Sequence, residues 1–425
     1  MERSLPSELA LPIPRRWIRE AAPTTEAAGT KLAFKLLILF LLILYSNIAI
    51  AYPELDAFRP ALVVAVAAMV MLFVEIAQSG QTFRLMWPQG ILLIAFLGAC
   101  ILSSFSAFWP GYAFNKTTDF AKIVLVYILI ENTVTTPKRL RTVLMTMVIG
   151  GVIPAVGIID NFAHHFLREG RAAWIGVWRN PNEAAYGLVI LIPIAAALAI
   201  KSGWFLRIGL AAAIVTYLLA ILFTYSRGGL LGLVAVIGLA GWKQKSAVMR
   251  TVMILGLIGM LFLGAMYWQR NQGFNDISHD GTVKERIGTV IAGLRMFADN
   301  PLSGIGPGCS MFAYPLYAPP ELNCGCQAQL VVHNTYIQIL SETGILGFVP
   351  CMLLLGSSIL LAWKLQQGSA SLYATALELA FWGFLVCSMS GGFSYSWWPY
   401  ILIALIVATK HMTASNAQEL VDGTN

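Results

Sequence analysis

Charged side chains are scarce in this sequence, and their scarcity argues against a soluble fold. Only 12% of the 425 residues are charged, whereas a soluble globular chain carries about 25%. Because so few charged side chains cannot cover the surface of a water-soluble protein, the composition indicates a membrane protein. The net charge of +7 falls mostly in short connections between apolar runs. It therefore reports on membrane topology, and no nucleic-acid partner is expected.

Several functional motifs are also missing. The glycine-rich turn at 304–308 lacks the Lys-Ser/Thr that ends a P-loop, which argues against a nucleotide site. No paired Asp or Glu motif suggests a metal-dependent sugar-nucleotide enzyme, and no Asp cluster suggests a divalent cation, so we expect neither metal nor cofactor. No internal repeat is visible, which counts against a transporter built from two related halves. The polar residues 1–30 and the long first apolar run predict no cleavable signal peptide.

The remaining sequence is dominated by apolar runs that suit a bilayer, which needs about 20 apolar residues per helix. Twelve runs occur, at 32–50, 60–78, 89–106, 119–134, 142–161, 184–200, 204–223, 228–242, 250–268, 336–362, 371–389 and 396–410. The runs at 119–134, 228–242 and 396–410 are short. The sequence predicts an all-α polytopic membrane protein with about twelve transmembrane helices. A large, partly helical loop separates helices 9 and 10.

The positions of Lys and Arg orient these helices, because cytoplasmic loops are enriched in both. A majority of the 28 basic residues fall inside when both termini are cytoplasmic. The predicted segments are a disordered cytoplasmic tail at 1–30, helices 1–9 at 31–268, a periplasmic catalytic loop at 269–335, helices 10–12 at 336–410 and a cytoplasmic tail at 411–425. Loop 162–183 and the connection at 226–227 then share the outer face with the long loop.

The long loop contains a predicted amphipathic helix at 286–298. At 100° per residue its apolar side chains form one stripe, made of Ile287, Val290, Ile291, Leu294 and Phe297. Such a helix suits the membrane surface or the end of a helical bundle. It should end at residues 299–301, because Pro301 cannot continue it.

Three arginines on the predicted outer face are candidate phosphate ligands. Arg227 lies between two apolar runs, flanked by Ser226 and Gly228, and a guanidinium binds phosphate through two parallel hydrogen bonds. Arg286 opens the amphipathic helix, and Arg179 precedes an apolar run. The alternatives are an interfacial snorkelling role for Arg227, a solvated charge for Arg286 and an interfacial anchor for Arg179.

Other polar residues near these arginines have simpler interpretations. Asn182 is expected to cap the helix that follows it. Arg168 and Arg171 are interpreted as ordinary loop charges.

His333 is the candidate for proton transfer. It lies where the long loop re-enters the membrane, followed by Asn334, and histidine titrates near neutrality and accepts a hydroxyl proton. A capping or packing histidine is the alternative. Glu342, nine residues later, is costly inside an apolar helix unless it is paired. Its structural alternative is a hydrogen bond between helices.

The six cysteines fall into two groups. Cys100, Cys351 and Cys387 lie inside apolar runs, where core packing is expected. The other three are Cys309, Cys324 and Cys326, in the long loop. In an oxidising compartment they predict one disulfide, between Cys309 and one of the other two.

Several arginines and one histidine therefore meet at the predicted outer leaflet. The arginines suit a phosphate-bearing substrate, and the histidine suits activation of an acceptor hydroxyl. A lipid-linked diphosphate fits, because its phosphates lie at headgroup level and its tail lies in the bilayer. Its leaving group is already good, so no metal is required for this chemistry.

Three motifs resemble the O-antigen ligase and polymerase superfamily. They are SRGG at 226–229, the stretch from Arg286 through NPLSGIGPG at 300–308, and HNTY at 333–336 followed by ETGILG at 342–347. Their order and spacing match over roughly 180–350. The resemblance implies a metal-independent membrane glycosyltransferase that uses an undecaprenyl diphosphate-linked glycan. Arg227 and Arg286 would bind the diphosphate with Arg179 as a helper, and His333 would assist the acceptor hydroxyl.

The same resemblance leaves the acceptor open. A ligase transfers the glycan to lipid A–core oligosaccharide, and a polymerase transfers it to another lipid-linked repeat unit. We place the ligase first, because the SRGG turn and the full outer-loop pattern are more typical of that branch. Protein O-glycosylation within the superfamily and a transporter outside it are the remaining alternatives. The expected location is the bacterial inner membrane, in contact with membrane lipids.

Overall fold

The computed structural model describes residues 30–168, 170–267, 281–320, 329–367 and 371–422. Regular structure in these residues is helical, and their one strand-like pairing is an isolated bridge between Arg168 and Arg171. The helices are α1 Lys31–Ser46, α2 Ile48–Ala51, α3 Pro53–Asp56, α4 Pro60–Ser79, α5 Gln89–Phe105, α6 Pro110–Thr133, α7 Pro137–Ala163, α8 Pro181–Ile200, α9 Trp204–Phe223, α10 Arg227–Lys243, α11 Ala247–Tyr267, α12 Gly281–Asp299, α13 Ser310–Tyr317, α14 Thr335–Lys364, α15 Ser371–Cys387 and α16 Trp397–Asp422. Three-residue 3-10 helices occur at Gly176–Trp178, Leu365–Gln367 and Ser388–Ser390.

The twelve predicted apolar runs fall mainly on these helices, the first of them across both α1 and α2, so the all-helical class is confirmed for the described residues. Six helical stretches of the described chain are long and apolar enough to cross a membrane. They are Pro53–Ser79, Pro137–Ala163, Pro181–Ile200, Trp204–Phe223, Thr335–Lys364 and Ser371–Ser390. Helices α5 and α11 contain shorter apolar segments. The count of twelve membrane spans therefore stays a prediction.

Local sequence explains where many helices begin. Proline occupies the first position of α4, α6, α7 and α8, where its missing N–H costs nothing. The side chains of Thr136, Asn180, Ser226 and Asn334 accept hydrogen bonds from the first turns of α7, α8, α10 and α14. Each bond satisfies an N–H that has no partner within its helix. The cap of α8 is thus Asn180, and the cap expected from Asn182 is wrong.

The predicted cytoplasmic connections meet at one end of the bundle. Arg139 donates to Thr30 Oγ1 and to the Thr133 carbonyl at 2.6 and 2.8 Å. Lys243 forms an ion pair with Glu378 at 2.8 Å. The predicted outer connections meet at the opposite end, as the contacts of the site show below. This grouping agrees with the basic-residue pattern, whereas the orientation in a membrane stays a prediction.

The amphipathic helix of the long loop is present as α12, which starts at Gly281 and ends at Asp299 before Pro301. Its packing face differs from the predicted stripe. Thr289, Ala292 and Met296 are fully buried, whereas Ile287 and Leu294 are 49% and 44% exposed. The buried face thus combines Thr289, Ala292 and Met296, whereas Ile287 and Leu294 of the predicted stripe point outward.

Helix α14 is interrupted at Gly344, and the backbone of the long loop forms hydrogen bonds with the residues around this break. Gly344 has φ 59° and ψ −161°, which breaks the helical hydrogen-bond pattern. The backbone of the loop replaces the lost partners, since Ile305 N–H donates to the Ser341 carbonyl and Ile345 N–H donates to the Pro301 carbonyl, at 3.0 and 2.9 Å. An irregular backbone at this depth is stable only when its polar groups are paired in this way.

The predicted C-terminal tail begins as a continuation of the last helix. Helix α16 runs past residue 410 to Asp422, and the cytoplasmic location of this segment stays a prediction. Residues 1–29, predicted as a disordered tail, and the start of the long loop at 268–280 lie outside the described residues.

Candidate active site

Arg286 and His333 lie close together, on α12 and on the segment that leads into α14. The pKa of His333 is lowered to about 4, first by burial and then by the positive charge of Arg286. The backbone N–H of His333 donates to Thr289 Oγ1 at 3.2 Å, which fixes the histidine one turn along α12 from Arg286. At neutral pH the imidazole is therefore uncharged and has a free electron pair for a proton.

The turn before α10 is held in place by buried polar contacts. Ser226 caps α10 by accepting from the Gly229 N–H at 3.2 Å, and its hydroxyl also donates to Asn182 Oδ1 at 2.9 Å. Arg227 is the first residue of α10 and is half-buried. The partial positive charge of a helix N-terminus adds to its guanidinium, so this turn favours an anion.

Arg171 clamps the same turn and was not expected there. Its side chain is only 6% exposed, and it donates to the Thr224 carbonyl at 2.8 Å and to Asn182 Oδ1 at 2.6 Å. The interpretation of Arg171 as an ordinary loop charge is therefore wrong. Its guanidinium ties loop 162–183 to the residues just before Arg227.

The 3-10 helix Ser388–Ser390 joins the turn before α10 to the start of α14. Cys387 Sγ lies 3.6 Å from the Gly228 carbonyl oxygen, and Asn334 Nδ2 donates to the Met389 carbonyl at 3.2 Å. Asn334 also caps α14 through its side-chain oxygen. The Gly228 and His333 segments therefore share a support, although they are far apart in sequence.

Tyr186 of α8 connects this support to Arg286. Its hydroxyl lies 2.9 Å from Ser390 Oγ, and it interacts electrostatically with Arg286 and through a side-chain hydrogen bond with Ser226. A Cβ atom on Gly228 would collide with the Tyr186 hydroxyl and with Ser390 Oγ. Glycine at 228 is thus required for the close approach of α10 to α8.

Glu342 holds the glycine-rich loop against α14. Its carboxylate is fully buried and accepts from the Gly308 N–H at 2.8 Å and from Ser310 Oγ at 2.6 Å. Gln338 Nε2 adds a third hydrogen bond at 3.3 Å. The carboxylate is therefore paired, as expected for a buried polar group, and it links α14 to the glycine-rich loop and, through Ser310, to helix α13.

Arg179 is the candidate least tied to this cluster. Its side chain is exposed just before α8, and its backbone N–H donates to the Gly176 carbonyl at 3.1 Å. The structure thus brings together His333, Asn334, Arg286, Ser226 and Gly228 around shared contacts, with Arg227 next to Ser226. The role of Arg179 as a helper in diphosphate binding stays a prediction.

The cysteine predictions have different outcomes. Cys100, Cys351 and Cys387 are buried, which confirms their packing in the core. Cys309 is a buried free thiol whose Sγ lies 3.6 Å from the Trp109 carbonyl oxygen, so the expected bridge from Cys309 is not formed. Its prospective partners, Cys324 and Cys326, lie outside the described residues. Among described residues, no group of three His, Cys, Asp or Glu side chains could hold a metal ion.

One comparison with known proteins matches the part of the chain that contains most of these residues. Residues 212–352 match the family model described as O-antigen ligase. This range contains α10, α12, the glycine-rich loop and the first half of α14, and therefore Arg227, Arg286, His333 and Glu342. A search of curated proteins found no match. The resemblance to the O-antigen ligase and polymerase superfamily is therefore confirmed over residues 212–352, which form about one third of the chain.

Proposed function

We propose that this protein is an O-antigen ligase-like glycosyltransferase of lipopolysaccharide biosynthesis. It moves a glycan from undecaprenyl diphosphate to lipid A–core oligosaccharide at the periplasmic face of the inner membrane. The observation that carries the proposal is the proximity of Arg286 and His333 within a region that matches the O-antigen ligase family. A cation for the diphosphate and a neutral base for the acceptor thus lie side by side.

The reaction follows from the charges of these groups. An acceptor hydroxyl attacks the anomeric carbon of the first sugar while the bond from that carbon to the diphosphate oxygen breaks. Arg227 and Arg286 bind the diphosphate and stabilise the negative charge that grows on the leaving oxygen. His333 orients the hydroxyl or takes its proton. Direct displacement of this kind inverts the anomeric centre, and neither metal nor cofactor takes part in the proposed step.

The second candidate is a polymerase that joins lipid-linked repeat units at the same site. Both reactions use the same donor, so Arg227, Arg286 and His333 would have the same roles. The description of the matching family and the SRGG turn favour the ligase.

Complementation of a deletion strain tests the proposal. Wild type, Arg227→Ala, Arg286→Ala and His333→Ala are compared at equal membrane abundance, with surface polysaccharide separated on gels. For a ligase, the variants leave long glycan on the lipid carrier and bare lipid A–core. Single repeat units without a ladder indicate the polymerase instead.

Arg295→Ala is the matched control for Arg286→Ala, because both residues lie on α12. The Arg295 side chain is exposed and donates to the Tyr317 carbonyl at 3.2 Å, and it is no cause of the lowered His333 pKa. The Arg295→Ala variant should therefore restore normal surface glycans in the deletion strain. Normal glycans in all three site variants would refute the site assignment and favour a transporter.

A further inference from the structure

A polar cavity lies close to the proposed active site. Its volume is about 320 Å³, within the usual range of ligand pockets, about 300–1,000 Å³. Its walls come from α6, α8, α14, the loop before α13 and the chain at 392–398. Five aromatic side chains line it, namely Tyr112, Phe393, Tyr395, Trp397 and Trp398.

Two opposite charges face each other in this cavity without touching. Lys116 and Glu183 both line it, and each is half-buried. They act on each other electrostatically, yet they form no ion pair within 4.0 Å, and among described residues neither makes a side-chain hydrogen bond. Half-buried charges normally have partners. The cavity thus offers an ammonium donor and a carboxylate acceptor with space between them.

The cavity adjoins the cluster around His333. Val331, two residues before His333, lines it together with Gln338 of α14. Glu183 lies one helical turn before Tyr186 on α8, and the Tyr186 ring packs against Phe393 with ring centroids 4.8 Å apart. The cavity thus shares wall segments with the residues that flank His333 in the chain.

The charges of the cavity favour a neutral ligand. Lys116 is the one cationic residue among those that line the cavity, and the carboxyl groups of Glu183 and the buried Glu342 lie in the same wall, so the cavity lacks the cluster of cations that suits a diphosphate. A sugar ring has hydroxyl groups that both donate and accept, and it has apolar C–H faces that pack on aromatic rings. Trp398 and Tyr112 are held by neighbouring rings, Trp178 at 5.0 Å and Phe312 at 4.8 Å, which gives such a ligand a rigid wall.

We propose that this cavity binds a neutral sugar ring of the transferred glycan or of its acceptor, with its hydroxyl groups bridging Lys116 and Glu183. This proposal rests on the proposed glycosyltransferase function and adds a sugar subsite to it. The diphosphate remains at Arg227 and Arg286, outside the cavity.

Transfer kinetics in membranes test the subsite. The donor is the lipid-linked glycan that accumulates in the deletion strain, and the acceptor is bare lipid A–core from that strain. Lys116→Gln and Glu183→Gln should each raise the half-saturating concentration of one substrate about tenfold, or about 1.4 kcal/mol, with a smaller effect on the maximal rate. A rise for the donor places a donor sugar in the cavity, and a rise for the acceptor places an acceptor sugar there.

Lys122→Gln is the matched control on α6, since Lys122 is exposed and pairs with Asp119 at 2.8 Å. It should leave both half-saturating concentrations unchanged. Binding of labelled undecaprenyl diphosphate without sugar should also be unchanged in Lys116→Gln and Glu183→Gln. Weakened binding of this probe would show that the cavity holds phosphate and would overturn the proposal, as would unchanged half-saturating concentrations for both substrates.

A direct binding measurement separates this proposal from the proposed function. The purified full chain is titrated with the oligosaccharide released from the lipid carrier, and with oligosaccharide released from lipid A–core. Saturable binding of either that is lost in Glu183→Gln supports the subsite even if the wild-type protein transfers no glycan, a result that would refute only the ligase function. Equal binding in wild type and Glu183→Gln, or no binding to either, would overturn the subsite.

Discussion

Replacing Arg286 should raise the pKa of His333, and the structure gives the size of the effect. The gap between the ordinary pKa of 6.5 and about 4 corresponds to ~3.4 kcal/mol in favour of the neutral imidazole. Burial is the larger cause and Arg286 the smaller. Arg286→Gln removes only the smaller cause, so the pKa should rise by about one unit and remain below 6.5.

The assay is a pH titration of isotope-labelled histidine followed by NMR on the full-length protein in lipid nanodiscs. The chain has five histidines, and the His333→Gln spectrum identifies the signal of His333. Arg295→Gln is the control and should leave the titration unchanged. A wild-type pKa of 6.5 or higher, or an Arg286→Gln variant with an unchanged or lower pKa, would refute the reasoning.

The same electrostatics predicts how pH affects transfer. A base acts when deprotonated, so the rate should fall as pH drops through the pKa of His333. In the free protein, which kcat/KM reports, that fall should lie near pH 4. A bound diphosphate brings negative charge near Arg286 and stabilises the imidazolium, so the fall in kcat should lie at higher pH. Identical profiles for kcat and kcat/KM would contradict this.

Three further predictions concern the supports of the site. Glu342→Gln leaves a buried N–H or hydroxyl without its acceptor, so thermal unfolding in detergent should show a free energy of unfolding that is lower by about 1–3 kcal/mol. The exposed residue Glu285 provides the control, Glu285→Gln. If Glu342→Gln is as stable as wild type, Glu342 does not hold the loop against α14. Gly344→Ala places a Cβ against the Leu302 carbonyl at positive φ, so it should lose at least about 1–3 kcal/mol, and a variant as stable as wild type would contradict the broken-helix geometry. Arg171→Ala removes the clamp on Asn182 and should reduce glycan transfer at unchanged membrane abundance, whereas full transfer would show that the clamp is dispensable.

Sequence alone predicts the helices well, because each apolar run is long and the bilayer demands helical backbone pairing. It leaves the packing face of α12 open. The predicted stripe suits either the membrane surface or the end of the bundle, and in the structure Ile287 and Leu294 are exposed whereas Thr289 is buried. Apolar side chains at a membrane surface gain as much from lipid as from protein, so periodicity does not identify the buried face.

The same limit applies to the site. Arg227, Arg286 and His333 carry recognisable motifs and unusual charges, so they can be found in the sequence. Arg171 and Tyr186 belong to no recognisable motif, and nothing in the surrounding sequence marks them as site residues. Their roles come from contacts across long sequence separations, Arg171 to Thr224 and Tyr186 to Ser390, which no local pattern encodes.

The loop at 301–306 contacts α14 around its break at Gly344 through main-chain hydrogen bonds. Its geometry therefore depends little on which side chains the loop carries, apart from Gly304 and Gly344, where each added Cβ would strike the backbone of the other segment. Substitutions at Leu302 and Ser303 should therefore leave the positions of Glu342 and His333 unchanged. Different side chains at these two positions are thus compatible with one helical frame, in which Gly304 and Gly344 are the two positions that must stay without a Cβ atom.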